Sequence, residues 1–391
     1  MRYTTAGESH GPGLTAIVEG VPAGLKISET HINADLARRQ GGYGRGGRQA
    51  IEHDTAQIMS GVRFGRTLGT PVALFVQNRD WHNWQDRMAV MGDAPATLKR
   101  EVQPRPGHAD LVGVLKIDSD DCRNVLERAS ARETAARVAA AGIAREFLAD
   151  LGVEVYSYVT SIGGVGMKDP DRNPMEKAVS YSLLEIENSP VRCPDPEASQ
   201  AMTGAIDRAK IEGESLGGTF RVVATGLLPG LGGYAERDQR MTARLAAALF
   251  SIPAIKGVEF GLGFEAARRP GSQVHDPIAL ENGEFTRTSN NAGGLEGGMT
   301  TGLPLVITCA MKPIPTLMKP LATVNLDTLE PAQASRERSD VCAVPAAAVV
   351  AEAEVSFALA DAYLEKFGHD NMTDIRAAAR AYQERLRTMS R

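Results

Sequence analysis

Gly7-Glu8-Ser9-His10-Gly11 opens a stretch that runs through the apolar Leu14–Glu19 to Pro22-Ala23-Gly24-Leu25. Gly213-Glu214-Ser215-Leu216-Gly217 opens a second, through Thr219–Ala224 to Pro229-Gly230-Leu231. Each copy sets a polar turn before a short β-branched run and closes it at a Pro/Gly turn, the signature of a strand between turns. A repeated strand-and-turn unit implies two related halves in a single domain over residues 1–391, divided at about 1–205 and 206–391. Chance recurrence in a chain with 40 glycines is the alternative. The copies differ at one chemically important position, His10 in the first and Leu216 in the second. If the halves are related, only the first kept the polar group.

Outward from this echo, further strands are expected at Val72–Gln77, Leu111–Ile117, Val153–Val159, Gly257–Phe264 and Leu303–Thr308. Ser130-Ala131-Arg132-Glu133 reads as a capping box opening a helix to about Leu151. Ala198–Ile211, Met241–Phe250, Pro345–Phe367 and Met372–Arg387 also read as helices. Strands and helices in these proportions predict a mixed α/β or α+β fold. Arg79–Pro106 and Lys168–Ser199 read as long loops.

Composition narrows the function. At 391 residues, 43% hydrophobic and 23% charged, the chain builds a normal core without cross-links. The four cysteines form no CxxC, and His53 and His82 have no HExxH partner, so no metal site is expected. A reduced, cytoplasmic setting is expected: the start lacks a signal-peptide pattern and no apolar run is long enough to span a membrane. A net charge of -5 and 5% aromatics argue against nucleic-acid binding. Within that acidic total, 33 of the 43 basic residues are Arg, the better residue for bidentate grips on phosphate and carboxylate.

Those arginines cluster. Arg38-Arg39-Gln40-Gly41-Gly42-Tyr43-Gly44-Arg45-Gly46-Gly47-Arg48 is neither a GxxxxGK[ST] loop nor a GxGxxG turn. It reads as an anion-binding loop or a mobile surface loop. Arg105-Pro106-Gly107-His108-Ala109-Asp110 offers a titratable imidazole on a fixed turn. Ser9-His10 is no nucleophile–base pair, so His10 reads as an acid or charge donor. Arg128-Ala129-Ser130 precedes a helix N-terminus, where an anion is favoured. Lys312-Pro313-Ile314-Pro315-Thr316 is an extended polar stretch, and Asp340 follows an Arg336-Glu337-Arg338 run. The sum is an enzyme with an arginine-rich pocket for a compact, multiply anionic ligand.

Seven ordered blocks resemble the chorismate synthase family: Gly7–Gly11, Leu36–Arg48, Arg105–Asp110, Arg128–Thr134, Gly293–Gly302, Ala310–Thr316 and Arg338–Asp340. The resemblance implies an α+β, β-α-β sandwich with internal pseudo-symmetry, assembled as a homotetramer. It implies conversion of 5-enolpyruvylshikimate 3-phosphate to chorismate and phosphate, with reduced FMN and no net redox change. His10, His108 and Asp340 would be catalytic. Arg39, Arg45, Arg48, Arg132 and Arg336 would hold substrate. Arg128, Ala129, Ser130, Pro253, Ala254, Gly297, Lys312, Pro313, Ile314, Pro315, Thr316 and Arg338 would hold FMN. The resemblance also attaches an NADP-related site to Arg39 and Arg45. With no reductase-like segment, NADPH is expected to act only through an external flavin reductase. The pattern departs at Asn291, where many relatives carry Arg. A different flavin- or phosphate-dependent lyase and a non-catalytic RNA-binding protein are the competing readings.

Overall fold

In β2 (Gly13–Glu19), Leu14, Ala16 and Val18 are buried while Ile17 is exposed, the period-two pattern of a half-buried strand. β1 (Arg2–Ala6) and β4 (Val72–Gln77) pair with its two edges, and β3 (Ala56–Ile58) pairs with β4, all antiparallel. The first sheet therefore has the order β1-β2-β4-β3. The structure is a computed structural model, and it describes residues 1–47, 52–168, 181–281, 283–336 and 339–389.

The second sheet joins β5 (Glu154–Ile162), β6 (Gly218–Thr225), β7 (Ile255–Phe260) and β8 (Leu305–Met311) in the order β7-β8-β6-β5, with a two-residue edge at Val165–Gly166. These pairings are also antiparallel. Because β5 already belongs to this sheet, the changeover lies between Asp150 and Glu154, upstream of residue 205.

Among the described residues, eight helices of seven or more residues accompany the sheets. They are α1 (Glu29–Gln40), α2 (Asp110–Ile117), α3 (Arg123–Ala129), α4 (Thr134–Asp150), α5 (Pro196–Glu212), α6 (Met241–Phe250), α7 (Val344–Phe367) and α8 (Met372–Met389). α4 packs on β2 and β4, α7 packs on β5 and β6, and α4 and α7 pack on each other. Both are Ala-rich, which lets their axes approach, and 20 of the 24 residues of α7 are buried. A helix apolar on all sides belongs in an interior. Gly142 of α4 sits against Ile32 of α1, where a Cβ would come within 2.5 Å of Ile32 Cγ1. With α2, α3, α5 and the shorter unnumbered elements set aside, the order strand, strand, helix, strand, strand, helix occurs twice, as β1-β2-α1-β3-β4-α4 and as β5-β6-α6-β7-β8-α7. This is the α+β sandwich that the resemblance implies.

One buried ion cluster ties these layers together. Glu352 of α7 accepts from Arg38 of α1 with both oxygens (2.8 Å each), from Arg145 of α4 (2.9 Å) and from Arg192 (3.2 Å). Burial alone would raise its carboxyl; Arg38, Arg145 and Arg192 overcome that and hold it at about 2. Among the described residues, no helix is long and apolar enough to cross a membrane.

Three expectations are corrected. Leu111–Ile117 is helical, not a strand: only Asp110 and Val114 of α2 are buried, a helical rather than an alternating pattern. Gly113 lets Val125 of α3 come close, since a Cβ there would meet Val125 Cγ1 at 2.3 Å. The strand expected to reach Phe264 stops at Phe260, because Gly261 (φ 57°) and Gly263 (φ 53°) take the left-handed conformation. The capping box is half formed. Ser130 Oγ accepts from Arg132 N (3.3 Å), but Glu133 accepts from Thr5 and Arg137 instead.

Candidate active site

The first-half turn at Gly7–Gly11 is stitched down by Asn78, whose amide donates to the carbonyls of Glu8 (3.0 Å) and Gly11 (2.8 Å). Asn78 Oδ1 in turn accepts from Arg132 Nε (2.8 Å). Arg132 Nη1 donates to Asp54 (2.6 Å). Arg39, projecting from the end of α1, donates to Thr134 Oγ1 and to Ala131 O (2.9 Å each) and lies 3.5 Å from Asp54. Burial pushes Arg39 down to about 10; Asp54 opposes that, and Arg45 and Arg132 add to it. Arg39, Arg45 and Arg132 are therefore close enough to feel one another's charge.

His10 lies in the same Gly7–Gly11 turn. Its Nδ1 lies 2.9 Å and 3.0 Å from the two carboxylate oxygens of Glu127, and its backbone N–H donates to Glu127 at 2.8 Å. Its ring stacks on Trp84, centroids 3.9 Å apart. Arg123 also donates to Glu127 (2.8 Å). Burial alone would raise the Glu127 carboxyl; His10 first and then Arg123 hold it below the ordinary value. Ser130 Oγ donates to Ser9 Oγ (3.1 Å), and Arg128 donates to the carbonyls of Thr5 and Gly7 (2.9 and 3.2 Å).

His108 sits on the turn before α2, with Nδ1 against Asp110 and Arg105. Arg105 Nη1 reaches Thr316 Oγ1 (3.2 Å), and Lys312 Nζ donates to Gly107 O. Lys312 N donates to Ala254 O (2.9 Å), and Ala254 holds a left-handed φ of 69°. His108, Thr316, Lys312 and Ala254 thus form one contiguous group. Partial burial first, and then like charge from Lys256, lower the Lys312 ammonium.

The glycine-rich loop meets the segment before α7. Asp340 accepts from Gly46 N (2.6 Å) on one oxygen and pairs with Arg45 (2.8 Å) on the other. Val341 N donates to Gly44 O (2.7 Å). Among the described residues, the buried Nε of Arg45 has no hydrogen-bond partner, and its side chain is 10% exposed.

The remaining expected residues are more dispersed. Arg336 is exposed. Gly297 turns between two short strands, and the next residue's carbonyl accepts from Met241 N at the start of α6, whereas Pro253 and Ala254 follow its other end. Asn291 donates through its backbone to Asp276 (2.7 Å), as does Ala292 (2.9 Å), so a carboxylate anchors the loop. Arg48 and Arg338 lie outside the described residues. Among the described residues, no group of three or more His, Cys, Asp or Glu could hold a metal. Glu127, Trp84, Asp54 and Asn78 were not singled out in the sequence. Each is far along the chain from the residue it serves, and only Glu127, directly before the Arg128–Thr134 block, carried a local hint.

The donors fit an anionic cofactor and substrate. Lys312 and Lys256 carry like charge close enough to interact, so an anion near them would be favoured. Arg45 offers a buried N–H with no acceptor among the described residues. The position a Cβ would take on Gly297 has no neighbour nearer than 3.9 Å, which leaves room for close approach.

The family model described as chorismate synthase matches residues 1–364. The chain is 55% identical over 384 residues to a chorismate synthase of Syntrophotalea carbinolica, covering 98% of each chain. It is 56% identical over 376 residues to one from Geobacillus kaustophilus, covering 95% of this chain and 96% of that one. A solved structure titled "Crystal Structure of Chorismate Synthase" superposes with a TM-score of 0.81 at 44% identity, covering 99% of this chain and 98% of that one. The chain belongs to the chorismate synthase family, lyases of the shikimate pathway that act on a phosphate substrate.

Proposed function

We propose that the chain converts 5-enolpyruvylshikimate 3-phosphate to chorismate and inorganic phosphate by 1,4-elimination, with reduced FMN as cofactor. The C–O bond to phosphate and the C6–H bond break, the ring gains a double bond, and there is no net redox change. The family's general need for a reduced flavin supports the cofactor, which would supply transient electron density to the ring. Arg128, Ser130, Gly297 and Lys312–Thr316, with Pro253, Ala254 and Arg338, would hold it.

The observation that carries this reading is the arginine floor, in which Arg39 and Arg132 share Asp54 and, among the described residues, the buried Nε of Arg45 has no partner. Such a floor binds the substrate's phosphate and carboxylates, with Arg48 and Arg336 adding charge. His10, stacked and tethered, donates a proton to the departing phosphate. His108 acts as an acid beside the flavin, and Asp340 as a base, its two oxygens keeping lone pairs beyond the bonds to Gly46 and Arg45.

The chain works in the cytoplasm, as one domain of two related halves, with an external flavin reductase spending NADPH. Assembly as a homotetramer is what the family resemblance implies, and the exposed Leu111, Val112, Leu115 and Ile117 of α2 support an interface of some kind. An anaerobic assay with reduced FMN tests the whole reading. Chorismate and phosphate should appear in equal amounts, with little product when the flavin stays oxidised. No product under reducing conditions would refute it.

A further inference from the structure

Asp110 is fully buried, and its carboxylate turns away from α2, the helix it begins. Its Oδ2 accepts from Arg105 N (3.0 Å) and Arg105 Nε (2.8 Å), while its Oδ1 meets Arg105 Nη2 (3.1 Å) and His108 Nδ1. We propose that Asp110 is a positioning residue that locks His108 in the Nδ1–H tautomer, leaving Nε2 as the atom that handles the proton. The proposal rests on the reading above that His108 is the acid beside the flavin.

The hydrogen bonds around Nδ1 decide the tautomer. An ionised carboxylate has no proton to give, so its close approach to a ring nitrogen requires a hydrogen on that nitrogen. Arg105 Nη2 lies 3.1 Å from the same Nδ1, but it also has Asp110 Oδ1 as an acceptor. Asp110 is ionised: burial opposes this, and the bonds from His108 and Arg105 outweigh burial and keep its carboxyl well below the usual range. With Nδ1 protonated, a neutral ring presents a bare Nε2 and a charged ring presents Nε2–H.

His10 uses the same arrangement on separate elements. Its Nδ1 meets Glu127, and Arg123 pairs with that carboxylate. In both cases a buried carboxylate held by an arginine grips Nδ1. At His108 the grip reaches the other half of the molecule, through Arg105 to Thr316. An imidazole held this way keeps both its orientation and its tautomer, as general acid–base chemistry requires.

The test uses the full chain labelled with 15N-histidine and free of flavin, with His108 assigned by a His108→Gln variant. His108 should show a protonated Nδ1 in its neutral form, and Asp110→Asn should erase that preference. In turnover, Asp110→Asn should lower kcat about 100-fold or more, while KM and flavin affinity change less than about threefold. In a His108→Ala background the same substitution should cost nothing further. A bare Nδ1 in the wild-type protein overturns the proposal, as does an equal loss on Asp110→Asn with and without His108. If Asp110→Asn does not fold, the wild-type tautomer alone decides. Unchanged turnover in His108→Ala would instead remove the catalytic reading of His108, a result separable from the tautomer measurement.

Discussion

The turn at Gly7–Gly11 and its echo at Gly213–Gly217 make similar backbone contacts and opposite side-chain contacts. Ser9 N donates to the carbonyl of Glu127, on the helix that precedes α4. Leu216 N donates to the carbonyl of Val341, just before α7, and Ser215 Oγ donates to Ile314 O. Both turns therefore fasten the start of a strand to the segment leading into a long central helix. Beyond that the halves part. His10 meets a carboxylate and an indole, and Asn78 ties the neighbouring Glu8 and Gly11 carbonyls to Arg132. Leu216 packs against the core and beside Gly163, where a Cβ would come within 2.8 Å of its Cδ1. The shared residues build the turn; the one that differs puts an imidazole in the first copy and an apolar packing residue in the second.

The largest expected effect lies in the first copy. His10→Ala should lower kcat roughly 10²–10⁴-fold, in steady-state assays, while thermal unfolding stays within a few degrees of wild type. A comparable loss from Leu216→Ala at unchanged stability would break the division between the halves.

Next comes the cluster that joins them. Glu352→Ala leaves three arginines without their shared carboxylate and should cost about 3–5 kcal/mol in urea unfolding. Because the folded carboxyl sits at about 2 against an ordinary 4.5, its contribution is complete above about pH 4.5 and is lost as pH falls toward 2. Glu352→Gln should flatten that part of the stability–pH curve, and a curve parallel to wild type would discount the cluster.

In the second copy, Leu216→Ala should cost about 2 kcal/mol of stability, the lower end for core leucines because Leu216 is only partly buried, with turnover of the folded fraction preserved. The smallest effect is a helix cap. Asp195 accepts from the N–H groups of Glu197 and Ala198 at the start of α5, and Asp195→Ala should lower stability by about 1 kcal/mol without touching activity. A drop in kcat there would mean that α5 communicates with the site.

Much of this was written locally. The runs at Leu14–Glu19 and Val72–Gln77 are short and apolar with turn-formers nearby, and both became strands. Gly213 ends α5 in the left-handed conformation, as a glycine after a helical stretch suggests. Leu111–Ile117 misled because a short apolar run fits either strand or helix; the close seat of Gly113 on Val125 favours the helix. Of the site, the histidines, arginines and glycine loops were legible as types. Their partners were not.

By itself the sequence determined the strand and helix periods, the echo of the two halves, the content of the site and the family. Those are properties of neighbours a few residues apart, or of ordered blocks, and they survive as a one-dimensional pattern. Tertiary structure alone decided that Asp54 lies between Arg39 and Arg132, that Glu127 grips His10 from 117 residues away, and that Arg38 turns to Glu352 while Arg39 turns to the site. A buried charge takes whichever partner the packed helices and sheets bring within reach, and that choice leaves no local trace in the chain.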